Sequence, residues 1–293
     1  MSSIEVLKTY KLFIGGQFPR SESGRYFTVT GKKNKMIANA CLASRKDFRN
    51  AVVAARSAFA GWSAKSHFNR SQILYRIAEI MEGREKQFTE ELMLSGLTSK
   101  QALVEVQLSS DRWVYYSGWC DKYSALFSSV NPVSSQHFNF SVPDPMGVVS
   151  VIAPDSPSLL GLISLVAPVM AGGNTCIVLA SEKFPLSAIT FAEVLATSDL
   201  PGGVINILSG KRNELLSHFS SHMDVNAVVH CSVDKNEIKL IDENASLNVK
   251  RVFCYNEKEH KADSQNPYLI LNTQEIKTTW HPIENIGQSG SKY

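Results

Sequence analysis

The stretch VIAPDSPSLLGL, residues 151–162, puts Asp155 and Ser156 inside the most apolar part of the chain. Between positions 146 and 179, Asp155 is the only charged residue. A carboxylate and a hydroxyl ahead of Pro157 suit a catalytic turn, a helix start or a polar break in a membrane span. Other residues invite the same question. His218 and His222 stand four apart in LLSHFSSHMD, a spacing that can hold a metal on a helix face. No Glu or Cys is placed beside them, so they read as a solvated helix face. Ser209-Gly210-Lys211 lacks the rest of a phosphate loop, and neither GxGxxG nor GxxxxGK[ST] occurs. Cys254 falls near the end of an expected strand, but no His or helix start is evidently beside it, and it reads as a buried strand thiol.

The totals narrow the field. The 293 residues suffice for one large domain or two ordinary ones, and 44% apolar with 19% charged residues is the composition of a folded soluble protein. A net charge of +3 without a dense Lys/Arg cluster argues against nucleic acid. The five cysteines show no CxxC; Cys176, Cys231 and Cys254 lie in β-like runs and read as buried thiols in a reducing, cytoplasmic compartment. The N-terminal MSSIEVLKTYKLFIGG has no basic segment followed by an apolar run, so no signal peptide is expected. A membrane helix needs roughly 20 continuous apolar residues. Here Pro154–Pro157, Pro168 and Gly172–Asn174 cut the run into GVVSVIA, SLLGLISLVAPVMA and TCIVLA, which read as strand, helix and strand buried in a parallel sheet.

The elements that must position these residues follow from periodicity. A first strand is expected at KLFIGGQF, then helices near 46–60, 68–95 and 99–128. Trp113, Tyr115, Tyr116 and Trp119 crowd the last of these and read as core packing. QHFNFSV alternates, with Phe138, Phe140 and Val142 on one side and His137, Asn139 and Ser141 on the other. Strands are then expected near 148–153, 175–180, 204–208, 226–231 and 249–254. Helices fall between them at 157–171, 185–198, 212–221 and 235–244. This is an α/β, doubly wound unit of the dinucleotide-binding type, with a ligand crevice at the strand C-termini. The expected division is 1–135 for the N-terminal strand and helices, 136–146 for a β-arm, 147–255 for the Rossmann-like core, 256–267 for a polar linker, 268–283 for a C-terminal strand and 284–293 for a tail. In that strand Ile276, Thr278 and Trp280 share one side. Trp280 and His281 read equally as an interface anchor or as the packed side of a strand.

These segments together resemble the NAD(P)-dependent aldehyde dehydrogenase superfamily. AVVAARSAFAGW and RSQILYRIAEIM look like its N-terminal helices; PMGVVSVIAP, APVMAGGNT, SEKFPLSA, DLPGGVINILSG and LNVKRV follow in family order and spacing. TQEIKTTWHPI resembles the family's C-terminal strand, which with the arm at 136–146 pairs subunits. The resemblance implies aldehyde oxidation through a cysteine thiolate with hydride transfer to nicotinamide.

Residue by residue, the working parts depart from that pattern. The family's Pro-Trp-Asn-Phe-Pro, whose Asn donates to the oxyanion, aligns with residues 154–158, leaving Ser156 at the Asn position. The ribose-gripping Lys aligns with Leu179, a loss of about 1.5–3 kcal/mol for a charge-assisted hydrogen bond. The ribose Glu aligns with Glu182, which reads equally as a solvated helix-entry residue. The family's Gly-Ser-Thr-Glu turn under the pyrophosphate aligns with Ser232, Val233 and Asp234, removing the glycine and adding a charge that repels phosphate. The general base aligns with Tyr255. After it the family's catalytic domain, with its Gly-Gln-Xaa-Cys nucleophile, is replaced by the linker; IGQSG at 286–290 lies beyond the C-terminal strand and is a chance likeness.

The expectation is therefore a non-catalytic family subunit, inactive alone. It resembles the degenerate copy of a paired aldehyde dehydrogenase whose catalytic domain is missing. Cofactor contacts reduce to Glu182, Ser181 and Gly210, with no NAD(P) or weak NAD(P) binding and no metal. The retained function is assembly, with itself or an active dehydrogenase, through Phe138, Phe140, Ile276, Thr278 and Trp280, and with no nucleic acid or membrane. The alternative is an NAD(P)-binding module that contributes to aldehyde oxidation only within a complex.

Overall fold

The uncharged run builds the centre of the molecule. In the computed structural model, which describes residues 7–32, 35–255 and 264–283, it becomes β6 (Val148–Ile152), α6 (Ser158–Ala171) and β7 (Thr175–Leu179), with every residue of all three buried. α6 is 14 residues long, too short to span a bilayer. Among the described residues no helix is long and apolar enough to cross a membrane.

Three further strands complete the sheet: β8 (Ile205–Leu208), β9 (Ala227–His230) and β10 (Arg251–Cys254). All five run parallel in the order β10-β9-β6-β7-β8. The chain grows outward from β6 in one direction, then returns to β6's other side with β9, so the winding reverses between β6 and β9. Helices α7 (Leu186–Thr197), α8 (Arg212–Ser221) and α9 (Lys235–Ser246) make the crossovers. Strand and helix expectations for this core differ from the structure only at their ends.

The N-terminal part departs further. KLFIGGQF is not a strand: Ile14 and Gln17 pair across Gly15-Gly16, and Phe13 bridges to Ile207. Both glycines have positive φ, 61° and 81°, which a tight turn requires and side chains resist. The strands here are β1 (Thr9–Tyr10), β2 (Tyr26–Thr30) and β3 (Met36–Cys41), in a small separate sheet ordered β1-β3-β2. Helix α1 (Arg45–Ser63) starts at a capping box between Ser44 and Asp47. The helix expected at 68–95 is two, α2 (His67–Gly83) and α3 (Glu85–Ser95), broken at Arg84. That expected at 99–128 is also two, α4 (Ser99–Ser117) and α5 (Tyr123–Phe127), separated where the helix ends at Gly118. Trp113 and Tyr116 are fully buried, whereas Tyr115 and Trp119 are half-buried at the core's edge.

A third sheet stands apart from the core. β4 (Ser129–Asn131), β5 (His137–Pro145) and β11 (Gln274–Pro282) are antiparallel in the order β11-β5-β4, with a short helix α10 (Tyr268–Asn272) ahead of β11. β11 pairs with β5 along all nine residues, from Gln274↔Pro145 to Pro282↔His137. The segment expected as one strand over 268–283 is thus a helical turn followed by a strand. Part of 256–267 and all of 284–293, IGQSG included, lie outside the described residues.

Candidate functional site

The reversal between β6 and β9 opens a crevice of about 810 Å³ at the C-terminal ends of the strands. Each wall is a loop that leaves a strand: Pro154–Ser156 after β6, Glu182 and Lys183 after β7, Lys211 and Arg212 after β8, and Cys231–Asp234 after β9. Loops at this edge carry ligand groups in open α/β sheets because strand and helix dipoles converge there.

The groups in it are largely engaged with one another. The Lys211 ammonium lies 2.9 Å from Oε1 of Glu182, while Oε2 accepts the backbone N–H of Arg212 at 2.8 Å. Glu182 therefore sits on the N-terminus of α8, where the helix dipole favours a carboxylate. Arg212 donates to the Ala153 carbonyl at 2.6 Å and to Glu237 Oε2 at 3.2 Å. The Ser232 hydroxyl donates to the same Glu237 carboxylate. Asp155 Oδ1 accepts from the Ser181 hydroxyl at 3.1 Å and from the backbone N–H of Glu182 at 3.0 Å. Among the described residues five carboxylates line the crevice (Asp155, Glu182, Glu214, Asp234 and Glu237) against three cations (Lys183, Lys211 and Arg212), a formal balance of −2 for those residues.

Not all of the expected residues meet there. Ser156, Glu182, Ser232 and Val233 line the crevice, and Val233 is 80% exposed. Ser181 is buried, its hydroxyl holding Asp155 and the N–H of Phe184. Gly210 stands beside the crevice, where a Cβ would meet Leu215 at 2.6 Å, so its small size serves packing against α8. Leu179 is fully buried in the sheet. Asp234 caps α9 by accepting the N–H of Asn236 at 2.8 Å. Tyr255 is buried, and its hydroxyl accepts from Asn272 at 3.0 Å.

The opening motif needs correction. Ser156 does not cap α6. Pro157, after a cis peptide bond, takes the cap position with extended backbone, and the helix begins at Ser158. Ser156 is exposed, and its hydroxyl bonds to no described residue. The orphan N–H groups of Leu159 and Leu160 go instead to Oε1 of Glu105 on α4, at 2.9 and 3.3 Å. Glu105 is buried, and that burial raises its carboxyl above the ordinary range, with the two N–H groups opposing the rise. Sequence reasoning missed Glu105. The only available signal was an acidic residue on the inward stripe of a helix.

The cysteine and histidine expectations also change. Cys176 is fully buried, but Cys231 is half-buried and Cys254 exposed, because β10 is an edge strand. His222 lies past the end of α8 in extended backbone, so the spacing to His218 is not that of a helix face, and its ring packs edge-on against Phe48 at 5.7 Å. Among the described residues no cluster of His, Cys, Asp and Glu could hold a metal.

In the separate sheet, Phe138, Phe140 and Val130 share one face, with the Phe rings 5.5 Å apart. The opposite face of β5 carries Asn139 and Ser141, both buried. Register puts Ile276, Thr278 and Trp280 on that second face, opposite Pro143, Ser141 and Asn139. The Thr278 and Ser141 hydroxyls are 2.8 Å apart. The five candidate interface residues thus divide between two faces. Phe138, Ile276 and Trp280 are each about half exposed, at 46, 52 and 57%.

Solved aldehyde dehydrogenases share this fold. The chain superposes on a putative aldehyde dehydrogenase from Burkholderia cenocepacia with a TM-score of 0.79 and 28% identity, covering 83% of this chain and 49% of that one. It superposes on the NAD+ complex of a Bacillus cereus aldehyde dehydrogenase with a TM-score of 0.81 and 25% identity, covering 85% and 51%. Cytosolic 10-formyltetrahydrofolate dehydrogenase of Xenopus tropicalis is 33% identical over 234 residues, which is 78% of this chain and 26% of that protein. Aldehyde dehydrogenase family 2 member B4 of Arabidopsis thaliana is 31% identical over 94% of this chain and 50% of its own length. The chain spans about half the length of these aldehyde dehydrogenases and about a quarter of the formyltetrahydrofolate enzyme. Residues 18–257 match the model of the aldehyde dehydrogenase family, and the chain belongs to that family.

Proposed function

We propose that this chain is a non-catalytic subunit of its family, which assembles through β5 and β11 with an active aldehyde dehydrogenase or with itself. What carries this reading is the Glu182–Lys211 pair. The one ribose-binding carboxylate that the family pattern retains is held by the chain's own ammonium and by the start of α8. The aligned oxyanion position offers only the short, exposed hydroxyl of Ser156, and the aligned general-base position offers Tyr255, occupied by Asn272. Nucleophile, base and oxyanion donor act as a set, and loss of one removes most of the rate.

The crevice suits a dinucleotide pyrophosphate poorly. The described residues that line it are net negative, the pyrophosphate turn bears Val233 and Asp234, and Arg212 is drawn toward Glu237. The assembly sheet, by contrast, is built along its full length and bears exposed apolar residues on both faces. In this reading 1–135 and 147–255 form a scaffold, 136–146 and 268–283 are the docking elements, 256–267 is the linker and 284–293 the tail, and the protein works in the cytoplasm.

A second reading, weak NAD(P) binding by a module that works only within a complex, draws on the size of the crevice and on Glu182 facing it. Calorimetric titration of the chain with NAD and NADP, followed by an aldehyde oxidation assay, separates the two. No heat at millimolar cofactor and no turnover are expected. Saturable binding or turnover by the chain alone contradicts the first reading.

A further inference from the structure

Between α1 and the far end of α8, away from the crevice, lies a cavity of about 380 Å³ that the family chemistry does not use. Arg45 and Arg49 reach it from successive turns of α1, and His218 and His222 from α8 and the residue after it. Among the described residues no carboxylate lines it. Asp224, the acid that acts on His222, is also engaged by Arg56, which donates to its backbone carbonyl at 2.6 Å and stands 3.9 Å from its carboxylate. Among the described residues neither Arg45 nor Arg49 has an ion pair or a hydrogen bond through its guanidinium. Lys250 adds a further cationic group nearby: its ammonium is inaccessible and makes no hydrogen bond among the described residues.

The mutual influence of these groups fits a crowded cationic pocket. Burial, and after it Arg45, holds the His218 imidazole below its usual range. Burial does the same at His222, where Lys250, Arg49 and His218 add to it and Asp224 opposes. Burial pushes Lys250 down to about 8 against Asp224. Like charges that share a cavity repel, and a bound anion relieves that repulsion. The floor is different in kind. Phe48 is buried with its ring against His222, and Met223, 82% exposed, stands at the mouth.

We propose that this cavity binds the phosphate monoester of a small aromatic or apolar molecule. The Arg45 and Arg49 guanidinium groups take the phosphate, for which Arg has matching fork geometry. Phe48, His222 and Met223 take the organic part. The site is independent of the crevice and of the non-catalytic reading.

Calorimetry on the full chain tests it, with phenyl phosphate and inorganic phosphate as probes. Phenyl phosphate is expected to bind, and about tenfold or more tighter than inorganic phosphate because of the apolar floor. The double variant R45Q/R49Q, at two exposed positions, is expected to lose about tenfold or more of that affinity with an unchanged melting temperature. Lys211→Ala, in the crevice, is expected to leave it unchanged. No heat at millimolar phenyl phosphate overturns the proposal, as does binding that survives R45Q/R49Q or falls in Lys211→Ala. Equal affinity for the two probes overturns the assigned ligand class.

Discussion

Glu105 on α4 caps α6 from outside, its Oε1 accepting the N–H of Leu159 at 2.9 Å. The helix that carries the core of the sheet thus starts on a side chain 54 positions earlier in the chain, not on the serine before it. Removing that acceptor strands two buried donors. Glu105→Ala is expected to cost about 2–3 kcal/mol in urea unfolding, and Glu105→Gln, which keeps an acceptor, about 1. Equal, negligible losses in both variants contradict the capping role.

Glu91 predicts a pH dependence. Burial raises its carboxyl above the ordinary value of 4.5, while hydrogen bonds from Tyr10 and Thr190 and the charge of Lys8 oppose the rise. The native state then holds a proton that the unfolded chain has released. The stability it contributes is full below the unfolded value and lost as pH rises through the raised one. Relative to Glu91→Gln, which cannot titrate, the wild type is expected to lose stability as pH rises above the ordinary carboxylate range. Urea midpoints of the two proteins across that range provide the check, and parallel curves contradict it.

Thiol reactivity is expected to follow burial. Burial holds the Cys120 thiol up to about 12 and raises Cys176 further, whereas Cys254 is exposed on the edge strand and only modestly raised, by partial burial and then Asp242. Alkylation of the native protein is expected to modify Cys254 well before Cys120 or Cys176. Peptide mapping over a time course reads the order, and early modification of Cys176 contradicts the packing of β7.

The Glu182–Lys211 pair is partly exposed, at 29 and 39% of its side-chain surfaces, so its worth is small. Glu182→Gln is expected to destabilise by about 1 kcal/mol or less, through the pair and the start of α8. It is expected to leave NAD titration heats unchanged. Cofactor binding that is present in the wild type and lost in Glu182→Gln contradicts the self-occupied crevice.

The core of the fold is legible in the sequence because burial on every side leaves an uninterrupted apolar signal. GVVSVIA, TCIVLA and VINIL can only be strands once Pro157, Gly172–Asn174 and Pro201–Gly203 set their limits. The small N-terminal sheet is less legible: YFTVT and MIANAC are short and mixed in polarity, and the parallel pairing that sets Thr9 beside Asn39 is a contact the local pattern does not encode. Alternation in HFNFSV gives the two faces correctly but not which one is inside. On β5 it is the polar Asn139 and Ser141 that are buried, bonded across the strands to Asn131 and Thr278. At the crevice, identities and positions are legible, whereas the ion pairs are not. Nothing in the spacing of Glu182 and Lys211 reveals that one holds the other. Glu105 is illegible for the same reason, since a cap supplied from another helix leaves no local trace.

The assembly role proposed for the β11-β5-β4 sheet is tested most directly by native mass spectrometry of the chain alone and co-expressed with full-length aldehyde dehydrogenases of its native cell. Phe138 and Trp280 are half exposed on opposite faces. The account predicts a dimer or a mixed assembly that Phe138→Lys and Trp280→Lys together weaken by about tenfold or more while the core stays folded. A monomer that ignores every such enzyme, or an assembly indifferent to both substitutions, contradicts it.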